Sequence, residues 1–280
     1  MKINHNISAV NSTRVLNARN LTIRTGFERV SSGERINRSG DDPASFAVSE
    51  KLRTQISSLV SAGKNTNDAI SFIQTTEGYL RESQNLLTRI KELAIQAGNG
   101  IYSSSDRLHV QKEVSQLVSE INRISSFAEF NGQKILDGRF ARGSAESVPL
   151  ASLYFHVGPD VDQSIRAFIS TFNSTALGLE NISISSPAKA NQAIATIDEA
   201  LSRVNDQRTD LGAYQNRLGS VLSTTNVTVE NFIDAESKIR DADIAQEITD
   251  LARDLLVNQA NIAMLAQANT NAQSILRLVG

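Results

Sequence analysis

The sequence predicts a mainly α-helical protein in which long, coiled-coil-like helices from both termini pair in a rod and carry a small irregular β-containing insert. Three observations support this fold class. The four prolines leave residues 44–148 and 188–280 without any proline, the residue that most strongly breaks helix interiors. Aromatic residues make up only 5% of the chain, which is low for a thick globular core. At both ends apolar residues recur in steps of three and four, as they do in helices that pack along other helices.

Residues 1–40 are predicted to form an N-terminal helix followed by a connector. The helix has a heptad seam with polar breaks, formed by Ala9, Thr13, Leu16, Asn20, Ile23, Phe27 and Val30. The stretch RVSSGERINRSGDD follows this seam and contains Gly33 and Gly40. Because glycine lowers helix stability and permits unusual backbone angles, we expect the chain to leave the helix and bend in this stretch.

Residues 41–132 predict two long central helices. Asp42 suits the cap of the first helix, and Pro43 suits its first position, where a missing N–H costs nothing. Gly98-Asn99-Gly100 is expected to end this helix after about 55 residues. A second helix is expected to follow the cap region Ser103–Asp106 and to end at Asn131-Gly132, where both residues tolerate a positive φ.

Residues 133–186 predict a small insert with strands and loops. The dipeptides DG and GP punctuate the segment, as expected for turns. The stretches LYFHV (153–157) and IRAFIS (165–170) are predicted to form strands or a hairpin. The stretch ENISIS (180–185) alternates apolar and polar residues, so it is also predicted to be a strand.

Residues 187–233 predict a returning central helix with a break near 223–228, and residues 234–280 predict a C-terminal helix. The C-terminal seam is the most regular in the chain, with nine apolar residues at eleven positions. A heptad seam of this length indicates a helix that packs along other helices. Its positions are Ile244, Ile248, Leu251, Leu255, Asn258, Ile262, Leu265, Asn269, Ala272, Leu276 and Val279.

The two chain ends are predicted to pair with each other and then with further copies of the chain. Residues 1–40 carry a charge balance of +5 and residues 234–280 a balance of −3, although exposed ion pairs contribute little. Asn258 and Asn269 on the seam either specify register or face solvent in an intramolecular bundle. Because their seams lack partners before assembly, we expect the ends of a free subunit to be partly disordered.

Several kinds of chemistry are not expected. Cysteine is absent, which excludes disulfides and thiolate metal sites. His5, His109 and His156 lack metal-like spacing, and no phosphate-binding, dinucleotide or hydrolase motif occurs. Asp41, Asp42, Asp241 and Asp243 suit helix caps or ion pairs better than acid–base catalysis. We therefore expect that the protein is not an enzyme and binds no cofactor, metal ion or nucleic acid. We also expect no membrane insertion and no cleaved Sec signal.

Long stretches at both ends of the sequence resemble bacterial flagellin. They include INHNISAVNS, RVSSGERINRSGDDPASFAVSEKLRTQI and NTNDAISFIQTTEGYL near the start, RIKELAIQAGNG at 89–100, and AMLAQANTNAQSIL at 263–276. The resemblance covers roughly 1–140 and 190–280. It implies a structural subunit that polymerises with itself into the flagellar filament, with the terminal helices forming an inner tube and RVSSGERINRSGDD a connector between shells. It also implies export through the flagellar type III apparatus with a chaperone.

A narrower likeness is to spirochaete flagellins, the core proteins of periplasmic flagella. It is carried by INHN, NGIYSSSDR (99–107), FHVGPD (155–160) and LGAYQNRL (211–218). It implies a periplasmic filament that shares contacts with sheath or sibling proteins; without it, the filament is expected to be extracellular. A hook–filament junction protein and a secreted coiled-coil adhesin or effector remain as alternatives.

The stretch Arg89–Gln96 resembles the site that innate immune receptors read on flagellin monomers. Arg89, Leu93 and Glu113 match the key residues of that site by resemblance alone. The plainer interpretation is that Leu93 packs in the core and that the two charged residues are solvated.

Overall fold

The computed structural model describes residues 6–141 and 153–279. Within those ranges the helices are α1 (Ile7–Ser32), α2 (Pro43–Gly98), α3 (Ser104–Phe127), α4 (Pro187–Arg240) and α5 (Ile244–Val279). The strands are β1 (Glu129–Phe130), β2 (Gln133–Lys134), β3 (Leu153–His156) and β4 (Ser164–Ala167). The predicted fold class, mainly α with long helices and a small β-containing insert, is confirmed.

The helix starts follow the predicted capping chemistry. Oδ1 of Asp42 accepts hydrogen bonds from the backbone N–H groups of Ala44 and Ser45, each at 3.2 Å, and α2 begins at Pro43. Ser103 and Asp106 form a reciprocal capping box at the start of α3. A side-chain hydrogen bond from Ser103 to Asp106 holds the pKa of that carboxyl below its ordinary value. These caps satisfy N–H groups that have no partner within their own helix.

The predicted break near 223–228 is wrong, because α4 runs without interruption from Pro187 to Arg240. In the structure Thr224 Oγ1 donates to the carbonyl of Ser220 at 3.0 Å, and Thr228 Oγ1 donates to that of Thr224 at 2.8 Å. A hydroxyl satisfied by the carbonyl four residues earlier is compatible with a continuous helix.

The insert contains one of the two predicted β features. β3 and β4 pair antiparallel, with Leu153 opposite Ala167 and His156 opposite Ser164, so the predicted hairpin is confirmed. The strand predicted at 180–185 is wrong. There the side-chain amide of Gln111 accepts from Ile184 N at 2.7 Å and donates to Ile182 O at 3.2 Å. This side chain from α3 takes the place that a neighbouring strand would otherwise fill.

Asn131-Gly132 forms a hairpin turn, so the prediction that it ends the helix is wrong. The two residues have φ of 49° and 75° and form the turn between β1 and β2, in which Phe130 pairs with Gln133. Helix α3 has already ended at Phe127. The tolerance for positive φ was therefore interpreted correctly, and the hairpin that uses it was missed.

One of the two compact units of the chain, which we call the central unit, spans Ser57–Val229. Its core draws fully buried side chains from three helices and from the insert. Phe72 packs edge-to-face against Phe130, Phe140 and Phe155, with ring centroids 5.4 to 6.5 Å apart. The largest fully buried side chains include Leu80, Leu87, Ile90, Ile121, Ile169, Leu179, Ile197 and Leu211.

The other unit, which we call the terminal unit, comprises Met1–Ile56 and Glu230–Gly280. Within it α1 packs along α5, as the pairing of the two chain ends predicted. Among its described residues, only Ile23 and Ile36 are buried apolar side chains. None of the described helices is long and apolar enough to cross a membrane.

Candidate functional site

The predicted seam of α5 has two edges with different environments. One edge, which we call the inner edge, consists of Leu251, Asn258 and Leu265, spaced by seven residues and all half-buried. On α1 the corresponding residues are Leu16, Ile23 and Val30, of which Ile23 is only 8% exposed. A Cβ added at Gly26 would lie 3.3 Å from Leu251 Cδ1. The inner edges of the two helices therefore meet each other.

The second edge consists of the seam positions three or four residues away from the inner edge, and it is open to solvent. On α5 it consists of Ile248, Leu255 and Ile262, which are 50%, 38% and 54% exposed. On α1 it includes Phe27, which is 52% exposed. We call these four residues the outer edge. Among the described residues they are only partly covered, so the lone chain leaves this part of its heptad pattern largely open to water.

Most of the other described seam positions divide in the same way, but Ile244 has the spacing of the inner edge and is nevertheless exposed. Ala9 is half-buried and Thr13 is exposed. Ile244, in the first turn of α5, is 38% exposed, and Asn269 is exposed. The side chains of Ala272, Leu276 and Val279 lie outside the described part of the structure, as do His5 and Pro149.

Polar side chains connect α1 and α5 along their length. Arg29 Nη1 lies 3.3 Å from Glu247 Oε1, and Arg19 Nη1 lies 3.0 Å from Asp254 Oδ1. Asn258 Nδ2 donates to Asn20 Oδ1 at 2.8 Å. Because residues later in α1 meet residues earlier in α5, the two helices run antiparallel. The polar break at Asn258 thus has a partner in α1, which favours a role in register.

Two side-chain amides on α5 are incompletely satisfied. Asn258 Oδ1 and Asn261 Nδ2 are buried and have no hydrogen-bond partner within residues 6–141 and 153–279. An unsatisfied buried polar atom costs about 1–3 kcal/mol. The α1–α5 pair of a lone chain is therefore locally suboptimal.

A groove of 670 Å³ lies beside the outer edge of α1. Its wall on α1 includes Asn20, Ile23 and Phe27, and its other wall comes from the connector at Asn37 and Arg38. Arg38 Nη2 donates to Glu28 Oε1 at 2.8 Å across this groove. The groove thus combines an exposed aromatic ring with charged groups at its rim.

The connector is held by a backbone bridge to the segment between α4 and α5. Helix α1 ends at Gly33, whose φ is 75°, in the left-handed region that glycine adopts without strain. Arg35 N then donates to Arg240 O at 2.6 Å, and Ala242 N donates to Gly33 O at 2.9 Å. The two chain segments that link the terminal helices to the rest of the chain are therefore joined.

The side chain of Arg240 adds an ionic contact to this bridge, and the sequence analysis missed it. Its Nη1 donates to Glu50 Oε1 at 2.6 Å, its Nε lies 3.0 Å from Glu34 Oε2, and its guanidinium lies 5.8 Å from the Phe46 ring centroid. We call these four residues the Arg240 clasp. Heptad periodicity cannot reveal it, because the partners lie outside the seam and far apart in sequence.

The fold places two of the three predicted receptor-site residues on the surface and buries the third. Arg89 Nη2 lies 2.9 Å from Glu113 Oε1, and this hydrogen bond raises the pKa of the Arg89 guanidinium. Leu93 is 2% exposed and packs in the core of the central unit. Arg89 and Glu113 therefore share one surface, while Leu93 supports it from beneath.

The described residues offer no other candidate site. No group of three or more His, Asp or Glu side chains among them could hold a metal ion. His109 and His156 are both exposed. Asp243 Oδ1 accepts from the backbone N–H groups of Ala245 and Gln246, so it caps α5 as expected.

Comparisons with known proteins agree over the whole chain. Residues 3–141 match the family model described as the bacterial flagellin N-terminal helical region, and residues 194–279 match the bacterial flagellin C-terminal helical region. The chain is 50% identical to flagellin FlaB2 of Treponema pallidum (strain Nichols) over 285 residues, covering 100% of both chains. It is 51% identical to the flagellar filament core protein flaB2 of Brachyspira hyodysenteriae over 284 residues, again covering 100% of both. Among solved structures, Bacillus cereus flagellin is 28% identical with a TM-score of 0.48, covering 58% of this chain and 88% of that chain.

Proposed function

This chain belongs to the bacterial flagellin family and is a structural subunit that polymerises into a flagellar filament for motility, and from that premise we propose that its outer edge is where copies join. The observation that carries this proposal is the exposure of Ile248, Leu255 and Ile262 at intervals of seven residues. A sustained heptad pattern has a physical purpose only where another helix packs against it.

Burial of the outer edge would supply free energy that the lone chain lacks. Apolar surface contributes about 25 cal/mol for each Å² removed from water. Because the same contact repeats between many copies, small gains in free energy at each contact add up and make the polymer stiff. The contact must join two different surfaces, because head-to-tail contacts that do not close generate filaments rather than rings. We propose that the groove beside Phe27 is part of the receiving surface.

The proposal includes the whole predicted seam and the five-segment division of the chain. In it, residues 1–40 and 234–280 form the inner tube and connector. Residues 41–132 and 187–233 form the next shell, and the insert at 133–186 faces outward. This division rests on the sequence pattern and on the family resemblance, and α4 continues across its last boundary to Arg240.

Substitution of Ile262 by Asp tests the outer edge directly. Ile262 is 54% exposed, so the free subunit should keep its helix content and melting temperature. In a polymer the added charge would be buried without a partner, which costs several kcal/mol. We expect Ile262→Asp to remain in the supernatant after precipitant-induced assembly, while the unmodified chain sediments as filaments visible by electron microscopy.

Ala260→Asp provides a matched control, because Ala260 is exposed on a different side of α5. It adds the same charge two residues away and should leave assembly largely intact. Leu265→Asp, on the half-buried inner edge, should loosen α1 from α5 even in the free subunit. Normal filament growth by Ile262→Asp would refute the proposed edge.

We further propose the partners and location that the resemblance implies. The chain would pass through the flagellar export apparatus with a chaperone, and sheath or sibling proteins would contact the insert in a periplasmic filament. The relative in Brachyspira hyodysenteriae is named a filament core protein, which supports an outer layer. Electron tomography with a label on the insert would test the location: a label outside the outer membrane would contradict it.

An immune-receptor site at Arg89, Leu93 and Glu113 also stays a proposal. The Arg89–Glu113 ion pair would present the recognised surface, and Leu93 would support it through packing. Arg89→Ala should weaken receptor activation by free subunits without unfolding them. Unchanged activation in a receptor reporter assay would count against the site.

A further inference from the structure

Two Asn-Gly pairs lie in the central unit, in different backbone settings. Asn99-Gly100 follows the end of α2, and Asn131-Gly132 forms the turn between β1 and β2. In such a pair the backbone nitrogen of glycine can attack the side-chain amide carbon of asparagine, because glycine has no Cβ to hinder the approach. We propose that Asn99 deamidates spontaneously and that the carboxylate formed there becomes the counter-ion of Arg107.

The reaction consumes water and needs no other reactant. The Gly100 nitrogen forms a bond to Cγ of Asn99, and its proton leaves together with the Nδ2 amide group as ammonia. Water then opens the resulting succinimide ring at either of its carbonyl carbons. The product is aspartate, or isoaspartate, in which the main chain continues through the side-chain carbon. Both products carry a carboxylate where the neutral and thermolabile amide stood.

The turn after α2 favours this attack at Asn99. Its Oδ1 accepts a hydrogen bond from Ile101 N at 3.3 Å, the local side-chain turn that asparagine commonly forms. The side chain is therefore folded over the Gly100 nitrogen, and the hydrogen bond draws electron density away from Cγ. Within the described part of the chain no backbone oxygen accepts the Gly100 N–H, and both residues are exposed to water.

The hairpin turn holds Asn131 away from the reactive geometry. Asn131 and Gly132 have φ of 49° and 75°, and the pairing of Phe130 with Gln133 fixes them from both sides. Closure of the ring would rotate the Asn131 backbone out of this turn and disturb the pairing of β1 with β2. The same dipeptide at 131–132 is therefore an internal control within the folded chain.

Arg107 is a buried cation that lacks an anionic partner. It is 8% exposed, and its guanidinium donates to Ala97 O at 2.9 Å and to Asn99 O at 3.1 Å. Among the residues that the structure describes, no carboxylate forms an ion pair with it. A hydrogen bond between two charged groups is stronger than one to a neutral carbonyl. Because Nη2 already contacts the backbone oxygen of residue 99, a carboxylate on the same residue lies within its reach.

Ageing of the purified full-length subunit in mildly alkaline buffer tests the site. Trypsin cleaves after lysine and arginine, so it releases residues 92–107 with Asn99 as their single asparagine and residues 124–134 with Asn131 as theirs. Mass spectrometry against an unaged sample should show conversion of amide to acid roughly three- to ten-fold faster in 92–107, a range that one hydrogen bond can supply. Equal rates, or faster conversion of Asn131, would overturn the proposal.

Two controls separate the effect of the fold from that of the dipeptide. Subunits aged in guanidinium chloride should convert at both sites at similar rates, because the turn and the hairpin are lost. A preference for Asn99 that persists there would refute the role of the turn. Gly100→Ala hinders the attacking nitrogen and should slow conversion of Asn99 at least to the rate of Asn131. A Cβ at Gly100 would meet no atom within 4 Å, and its φ is not positive, so this variant should fold normally.

Asn99→Asp tests the counter-ion, because it supplies the carboxylate without isoaspartate. It should raise the melting temperature of the free subunit by about 1–4 °C, and the gain should disappear in an Arg107→Met background. Asn131→Asp adds the same charge at the hairpin turn and should give no rise. An unchanged or lower melting temperature for Asn99→Asp would refute the ion pair. If Arg107→Met does not fold, loss of the gain in concentrated salt replaces that comparison.

These measurements are independent of the proposed assembly edge. Both Asn-Gly pairs and Arg107 belong to the central unit, so the order of the terminal helices in the free subunit does not affect the result. Failure of Ile262→Asp to block assembly would leave the conversion rates as expected. Deamidation adds one negative charge to each converted subunit, so it marks the age of a subunit covalently at the turn between α2 and α3.

Discussion

The central and terminal units are built from the same kind of long helix but are stabilised differently. In the central unit Leu80, Leu87 and Ile90 of α2 are each 0% exposed, and the insert adds further buried side chains. In the terminal unit, among described residues, Ile23 and Ile36 alone are buried and apolar, while Ile248 and Ile262 remain half in water. A self-sufficient core and an unfinished one therefore coexist in one chain.

The polar groups differ in what accompanies them. In the central unit some buried hydroxyls, such as those of Thr66 and Thr76, are satisfied within their own helix, and the side chains that connect separate elements, such as Arg107 and Gln207, add to a large apolar core. In the terminal unit polar groups connect separate elements, as in the pair Asn20–Asn258 and in the Arg240 clasp. Apolar burial provides most of the stability of the central unit, whereas polar contacts in the terminal unit specify which surfaces meet.

The largest effect is expected from a cavity in the central core. Leu87→Ala should lower the free energy of unfolding of the free subunit by about 2–5 kcal/mol, because the side chain is fully buried and the space cannot collapse completely. Ile95→Ala on the same helix is the control. Its side chain is 56% exposed, so a change within about 0.5 kcal/mol is expected. Urea denaturation followed by circular dichroism measures both.

The equivalent substitution in the terminal unit sharpens the comparison. Ile23→Ala should shift the main unfolding transition much less than Leu87→Ala, because the α1–α5 pair can open locally before the central unit unfolds. Equal shifts in the main transition would mean that the two units unfold as one. The contrast drawn between them would then be wrong.

The sequence predicts most of the helices because their signals are local. Pro43 marks the start of α2 because its ring fixes its own φ angle, and Asp42 does so because its carboxylate accepts two hydrogen bonds from the first turn. Ser103 and Asp106 mark the start of α3 through their capping box. The heptad pattern also predicted that α1 and α5 pack along each other, as the structure shows, while the role of the seam in assembly stays a prediction. What the pattern could not reveal is that one edge would face α1 and the other would stay open, because both edges look equally apolar in sequence.

Two of the errors came from contacts between residues that are distant in sequence. The alternation at 180–185 indicated a strand, but Gln111 of α3 supplies the hydrogen bonds that a second strand would have made. The Arg240 clasp was missed for the same reason, since Glu34, Glu50 and Arg240 come together only in the fold. Periodicity reports which face of an element is apolar and contains no information about its polar partners.

A smaller effect is expected from the cross-helix ion pair of the terminal unit. Asp254→Asn removes the charge that faces Arg19, and Arg19 is 42% exposed, so a loss of about 1 kcal/mol in local stability is expected. Hydrogen exchange of α1 amides in the free subunit should become roughly five-fold faster, while α2 amides stay unchanged. The α1 amides should already exchange faster than those of α2 in the unmodified chain. Amides of α1 as protected as those of α2 would contradict the unfinished state of the terminal unit.

The smallest effect is a dependence of the clasp on pH. The hydrogen bond from Arg240, together with the charge of Arg53, holds the pKa of the Glu50 carboxyl below its ordinary value of 4.5. A carboxyl whose pKa is lowered by folding contributes stability above its unfolded pKa and loses it as the pH falls through the folded value. The contribution of Glu50 should therefore be constant from neutral pH down to its ordinary pKa of 4.5, and it should be lost as the pH falls further through the lowered pKa of the folded state.

Exchange of the Arg35 amide, which donates to Arg240 O, reports this loss in the terminal unit. After correction for intrinsic exchange, its protection should fall as the solution is acidified below the ordinary carboxyl range. Glu50→Gln should reduce this pH dependence. Protection that stays level in the unmodified chain down to pH values where the Glu50 carboxyl is protonated would show that the backbone bridge, and not the ionic clasp, holds the connector.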